Sequence, residues 1–127
     1  SEKEVPRALE ALSPKVDALL ALPDATLYTE SSVRFILLHA LRQGQPFIGL
    51  LEPFVRAGAL MGLALEYEDV GRQAAELALR IHRGEAPGQI PVQEPRRTIL
   101  LLNLRTARRI GVTVPKATLE RAIVVTP

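Results

Sequence analysis

A short polar segment at residues 22–32, LPDATLYTESS, groups many of the side chains that could do chemistry. The carboxylate of Asp24 is followed by the hydroxyl groups of Thr26, Tyr28 and Thr29, and then by two serines. Such a set fits a general acid or base, a cradle for a polar ligand, or the start signal of a helix. The residues alone leave these three roles open.

Motifs that would support catalysis are missing from the sequence. Without cysteine the chain has no thiolate nucleophile, and it contains neither a G-x-S-x-G nor a G-x-x-x-x-G-K-[ST] motif. His39 lies in an apolar helical segment and His82 near the end of another. Neither is four residues from a second metal ligand, which favours structural roles. We therefore predict no enzyme activity, no catalytic residue, no metal site and no cofactor.

Composition indicates one globular domain or one lobe of a larger protein. The chain has 127 residues, of which 47% are hydrophobic, and its formal net charge is +2. Acidic and basic residues are interspersed along the chain, and the arginines at 96, 97, 105, 108 and 109 fall in two different predicted elements. A nucleic-acid surface would need them clustered on one face. We therefore predict no nucleic-acid partner.

Apolar periodicity in the first half predicts alternating helices and strands. EVPRALEAL and residues 31–42 have helical spacing, with Ser31 or Ser32 as the N-cap of the second helix and Gly44 closing it. VDALLAL and PFIGLL read as short buried strands that follow these helices. This order is typical of an α/β fold with a parallel sheet.

The second half continues the pattern less regularly. A strand is predicted at residues 59–65, followed by a long helix in EYEDVGRQAAELALRIHRGEAP with an apolar stripe at Val70, Ala74, Leu77, Ala78 and Ile81. QIPVQEP and RRTILLLN read as two further strands. Asn103 is placed to cap a short helix, and KATLERAI predicts a last turn or two of helix.

In open parallel sheets, ligands bind beyond the carboxyl ends of the strands. Residues 24–32 and 52–59 each follow a predicted strand and so occupy that position. There Asp24 can meet an amino group, while a helix N-terminus can meet a carboxylate. The alternative, in which the hydroxyl groups only cap a helix and Asp24 is solvated, is equally compatible with these residues.

Longer stretches resemble a known family. VDALLALPD, AGALMGLALEYEDVGRQAAELALRIHRGEAPGQIPVQEP and RTILLLNLRTARRIGVTVP are similar to the C-terminal half of ABC-transporter substrate-binding proteins of the tryptophan-binding-protein type. The resemblance covers nearly the whole chain. It implies a three-layer lobe of a type I periplasmic-binding-protein-like fold, present as a fragment or shortened form.

The resemblance also implies a division into lobes. Residues 1–50 and 88–127 are expected to belong to the C-terminal lobe, while residues 51–87 cross into the N-terminal lobe. Family members bind small solutes between the lobes, aromatic amino acids among them. Carried over onto this sequence, the ligand-binding residues are Asp24, Thr26, Glu52, Gly58, Ala59 and Tyr67, and Tyr28 is added as a candidate of this chain alone.

The functional expectation is a solute-binding component of an ABC importer. Its partners would be a small-molecule solute and a membrane permease, and its location would be periplasmic or extracytoplasmic, with a lipid anchor as one option. The alternative is a ligand-sensing domain of a transcriptional regulator, which shares the lobe topology. Because a single lobe leaves apolar crossover segments without sheet neighbours, we also expect a homodimer.

Overall fold

The computed structural model describes residues 2–24 and 26–125. Within these residues five strands form one sheet in the order β1-β2-β3-β4-β5, and β1/β2, β2/β3 and β4/β5 pair in parallel. The strands are β1 Leu19–Leu20, β2 Phe47–Gly49, β3 Met61–Leu65, β4 Thr98–Leu102 and β5 Ala122–Val124. The α-helices are α1 Val5–Leu12, α2 Glu30–Gln43, α3 Glu52–Ala57, α4 Tyr67–His82, α5 Leu104–Arg109 and α6 Lys116–Arg121.

The described residues form two compact units. One is Leu65–Ile99, which contains α4, and the other contains the rest of the described chain. Since the predicted lobe boundaries refer to a complete two-lobed protein, that division stays a prediction. None of the described helices is long and apolar enough to cross a membrane.

The main core of the larger unit lies where α1 and α2 meet the first two strands. It is built from Val5, Leu9, Leu19, Ala21, Ile36, Leu37, Ala40, Phe47 and Ala59. A smaller cluster joins Leu60, Leu102 and Ala107. Burying these side chains supplies most of the free energy that favours folding. The main cluster, which includes Leu19, Ala21 and Phe47, therefore fixes the strands from which the first two crossovers leave.

Several sequence expectations are confirmed. The helices predicted around residues 5–12, 31–42 and 67–82 are present, Gly44 closes α2 with a φ of 67°, and Asn103 caps α5. The cap of α2, however, is Thr29 rather than either serine. The reason is that Thr29 is still extended (φ −87°, ψ 166°), while both serines already have helical positions.

Other expectations are wrong in detail. QIPVQEP (residues 89–95) is irregular chain that follows a 3₁₀ turn at Pro87–Gln89 instead of a strand, because Pro91 and Pro95 cannot donate to a sheet. Residues 52–57, predicted as loop, form α3. The sequence signal was Pro53 near the helix start with Gly58 after its end. The strand β5, which follows α6 directly, was not predicted.

Candidate functional site

A cavity in the larger unit lies beyond the carboxyl ends of β1 and β2. Its volume is about 820 Å³, and it is bounded by the loop after β1, the loop after β2, one face of α2 and the short helix α3. Because β1 and β2 are parallel, both loops leave the same edge of the sheet. The strand-end location predicted for a ligand site therefore coincides with a real cavity.

Asp24 at the mouth of this cavity organises the loop after β1. Its Oδ1 accepts hydrogen bonds from the backbone N–H of Thr26 (2.8 Å), the hydroxyl of Thr26 (2.7 Å) and the backbone N–H of Leu27 (3.0 Å). These bonds, above all the one from the Thr26 hydroxyl, lower the pKa of the Asp24 carboxyl. Asp24 is thus a turn-forming residue that keeps its negative charge beside the cavity.

The start of α2 is closed by its own side chains. Thr29 Oγ1 accepts from the Ser32 backbone N–H at 3.2 Å, and Ser32 Oγ accepts from the Thr29 backbone N–H at 2.9 Å. This reciprocal pair is a capping box, although Ser32 stands where Glu or Gln is usual. Ser32 Oγ also donates to the carbonyl of Leu27. The amides of Thr29 and Ser32 are therefore occupied within the protein.

An aromatic wall closes one side of the cavity. The rings of Tyr28 and Phe54 meet edge to face, with centroids 5.6 Å apart, and Phe54 stacks on buried Phe47 at 6.3 Å. This arrangement depends on Gly49, because a Cβ there would lie 2.5 Å from the Cβ of Phe54. The close approach of α3 to the end of β2 thus places two aromatic rings where an apolar ligand group can pack.

The far end of α3 is anchored to the start of α5. Buried Asn103 donates from Nδ2 to the carbonyl of Val55 (2.8 Å) and accepts from the Thr106 N–H (2.9 Å) through Oδ1. The Thr106 hydroxyl donates to the carbonyl of Gly58 at 3.0 Å. Gly58 itself has a φ of 127°, a conformation that favours glycine, so this corner of the cavity has a fixed backbone path.

The structure places the predicted ligand-binding residues differently from one another. Asp24, Tyr28 and Gly58 line the cavity. Thr26 instead donates a hydrogen bond to Asp24, and Glu52 forms an ion pair with Arg56 on α3. Ala59 is fully buried in the core, whereas Tyr67 is 69% exposed and lies in the smaller unit. Their roles toward a ligand stay predictions.

Sequence reasoning placed a helix start at this site but missed the side chains that α2 contributes to the cavity. Glu30, Arg34, Leu37, Leu38 and Leu41 all line it. Their spacing of three and four residues puts them on one helix face, so the signal was present in the sequence. It was overlooked because the same spacing also describes an ordinary core-facing stripe.

In the smaller unit the predicted apolar stripe of α4 is not what is buried. Val70 and Leu77 are partly buried, Ala74, Ala78 and Ile81 are exposed, and Asp69 and Gln73 are the buried residues of α4. The segment at residues 93–97 covers these two polar side chains. The carbonyl of Glu94 accepts from Gln73 Nε2 at 2.9 Å, and the guanidinium of Arg96 contacts Asp69 at 3.3 Å and Glu76 at 2.9 Å.

His39 has a structural hydrogen bond rather than a free ring. Its Nε2 lies 2.7 Å from Ser13 Oγ, and its ring stacks on Phe35. In the described part of the chain, no carboxylate is hydrogen-bonded to its other ring nitrogen. Among residues 2–24 and 26–125, no group of three or more His, Asp or Glu side chains is placed to hold a metal ion.

Comparison with known sequences matches one family model along nearly the entire chain. The model describes the ABC transporter substrate binding protein family, and it matches residues 1–126. A tyrosine-binding protein of Clostridioides difficile (strain R20291) is 30% identical over 110 residues. That alignment covers 87% of this chain and 31% of the relative, so the chain spans less than a third of the curated relative's length.

Solved structures share the fold over almost all of the chain. A conserved domain protein from Vibrio cholerae has 30% identity and a TM-score of 0.72, covering 98% of this chain and 41% of its own. An ABC domain from Streptococcus pneumonia, solved in complex with L-Trp, has 21% identity and a TM-score of 0.73. In that case 99% of this chain and 42% of the neighbour are covered.

Proposed function

Because this chain belongs to the family of ABC transporter substrate-binding proteins, we propose that it forms one wall of a solute-binding cleft for an aromatic amino acid. The observation that carries the proposal is the cavity at the carboxyl ends of β1 and β2, whose walls combine Asp24 with the rings of Tyr28 and Phe54. The carboxylate can form a charge-assisted hydrogen bond with the ammonium group of an amino acid, and the two aromatic rings can pack against its aromatic side chain. The named relative is a tyrosine-binding protein, which points to the same ligand class.

The complete protein would act by binding and conformational change rather than by chemistry. Solute bound to this wall would favour closure of a second lobe over it, and the closed form would be recognised by the permease of an ABC importer. This role places the protein outside the cytoplasm. The residues at 51–87 would cross between the lobes, and Thr26, Glu52, Gly58, Ala59 and Tyr67 would support the cleft.

A ligand screen on the complete polypeptide that carries this chain tests the proposal. We expect L-tyrosine or L-tryptophan to raise the melting temperature, since a ligand at a hundredfold excess over its Kd stabilises the folded state by about 2.7 kcal/mol. Calorimetry should then give one solute per polypeptide. A protein that none of the twenty amino acids stabilises would overturn the proposal.

A matched pair of variants ties such binding to this cavity. Ala57→Phe fills the cavity from the exposed end of α3 and should abolish the stabilisation, whereas Ala78→Phe on the exposed face of α4 should leave it intact. Light scattering on the 127-residue chain by itself tests the homodimer expected of a single lobe, which exposed apolar side chains such as Leu63 and Leu79 support. A monomer at every concentration would remove that part of the proposal.

A further inference from the structure

We propose that Arg34 binds a carboxylate of the solute, so that this cavity selects amino acids over the corresponding amines. The inference rests on the proposed function and names the group that recognises the acidic end of the ligand. It differs from the sequence-based expectation, which gave that role to a helix N-terminus at a strand end.

The N-terminus of α2 is poorly suited to a second anion. Its capping box already occupies the amides of Thr29 and Ser32. Two negative charges, Asp24 and Glu30, also flank this end of the helix and line the cavity. A solute carboxylate placed there would face like charges, whereas a solute ammonium would be attracted.

Arg34 is the basic residue of the cavity lining and lies one helical turn beyond Glu30. In the part of the chain that the structure describes, its guanidinium has neither a hydrogen bond nor an ion pair. Its neighbour at four residues' spacing, Glu30, does not pair with it, although the same spacing gives ion pairs at Glu52–Arg56 and Glu68–Arg72. An arginine with all its donors available can bind a carboxylate through two parallel hydrogen bonds.

The order of charges along α2 matches an α-amino acid. Glu30 at the helix start and Arg34 one turn later are four residues apart, which separates their Cβ atoms by roughly 5–6 Å. The apolar side chains of Leu37 and Leu41 continue the same face, and Tyr28 with Phe54 forms the aromatic part of the lining. An ammonium group, a carboxylate and an aromatic side chain would therefore each find a complementary surface.

Binding of L-tyrosine and of tyramine, which lacks the carboxylate, tests the inference by calorimetry on the complete polypeptide. Arg34→Gln should weaken L-tyrosine binding at least about tenfold, since a charge-assisted hydrogen bond contributes roughly 1.5–3 kcal/mol, and leave tyramine binding unchanged. Arg42→Gln, on the same helix but outside the cavity lining, is the matched control and should bind both like the wild type.

Arg34→Lys keeps the positive charge but cannot form the bidentate hydrogen bonds, so its affinity for L-tyrosine should lie between those of Arg34→Gln and the wild type. Equal losses for both ligands in Arg34→Gln, or no loss for L-tyrosine, would overturn the assignment while the proposed function stands. If the wild type bound neither L-tyrosine nor any other amino acid, the proposed function would fail and this inference with it. Circular dichroism of each variant confirms that a lost affinity is not lost folding.

Discussion

At the scale of single residues, Asp24 performs two tasks that the sequence could not separate. Its Oδ1 holds the turn after β1 through Thr26 and Leu27, and its charge lies at the mouth of the cavity. The helix start and the polar cradle, which began as competing interpretations of one segment, are thus adjacent parts of the same loop. Thr29 and Ser32 serve the first, and Asp24 and Tyr28 face the second.

Two substitutions separate the tasks of Asp24. Asp24→Asn keeps an acceptor oxygen for the turn and removes the charge, so L-tyrosine affinity should fall while the melting temperature changes little. Asp24→Ala removes both, so both quantities should fall. Calorimetry and thermal melts of the two variants provide the comparison, and equal melting temperatures for both would contradict the structural task.

The pKa of Asp24 gives the same turn a pH dependence. Because the folded-state pKa is lowered, the turn contributes stability above the unfolded-state pKa, and this contribution is lost as the pH falls through the folded-state value. An NMR titration should therefore find the carboxyl below the usual Asp range. Thr26→Val, which removes the hydroxyl donor, should move its pKa upward.

At the scale of elements, the long periodic segments were predictable and the short ones were not. Periodicity over α2 and α4 identified both helices, but α3 has only six residues, too few for a repeating pattern. Its Pro53 and Gly58 were the available signals. The strand β1 is reduced to two residues although seven were expected, since Pro23 and the turn at Asp24 end the pairing early.

Asn103 is the clearest case of one side chain that joins elements. It caps α5 and also donates to the carbonyl of Val55 at the end of α3, both within a buried site. Asn103→Ala should lower the free energy of unfolding by about 1–3 kcal/mol, since it removes a helix cap and one of the two donors to the Val55 carbonyl, which keeps the Gly58 N–H at 3.2 Å.

Asn103→Ser is the matched control for that loss. Serine keeps a cap acceptor for the Thr106 N–H but is too short to reach the Val55 carbonyl, so its free energy of unfolding should lie between those of the wild type and the alanine variant. Urea denaturation measures all three. If the alanine variant were as stable as the wild type, the anchoring of α3 to α5 would be unimportant.

At the scale of the whole molecule, the α/β prediction with a parallel sheet and a periplasmic-binding-protein-like fold is confirmed. The family was also identified correctly from motifs such as GAL at residues 58–60 and the Asn103–Gly111 segment. What sequence could not supply was the shape of the cavity. Glu30 and Arg34 share a cavity lining with Asp24 because the loop between β1 and α2 contains a turn whose geometry depends on hydrogen bonds.

The smaller unit shows a second limit of pattern reading. The apolar stripe of α4 predicted a buried face, yet Asp69 and Gln73 are the buried side chains there. Apolar periodicity identifies one face of the helix. It does not identify buried polar side chains, because their burial depends on partners distant in sequence, here Glu94 and Arg96. Such partners are visible only once the chain has folded.

A crystal structure of the complete polypeptide grown with L-tyrosine tests the central claim most directly. We predict that the ring of the bound amino acid packs beside Tyr28 and Phe54 and that its carboxylate lies on Arg34. A bound L-tyrosine that contacts neither the loop after β1 nor α2 would contradict the claim that this cavity is the solute site.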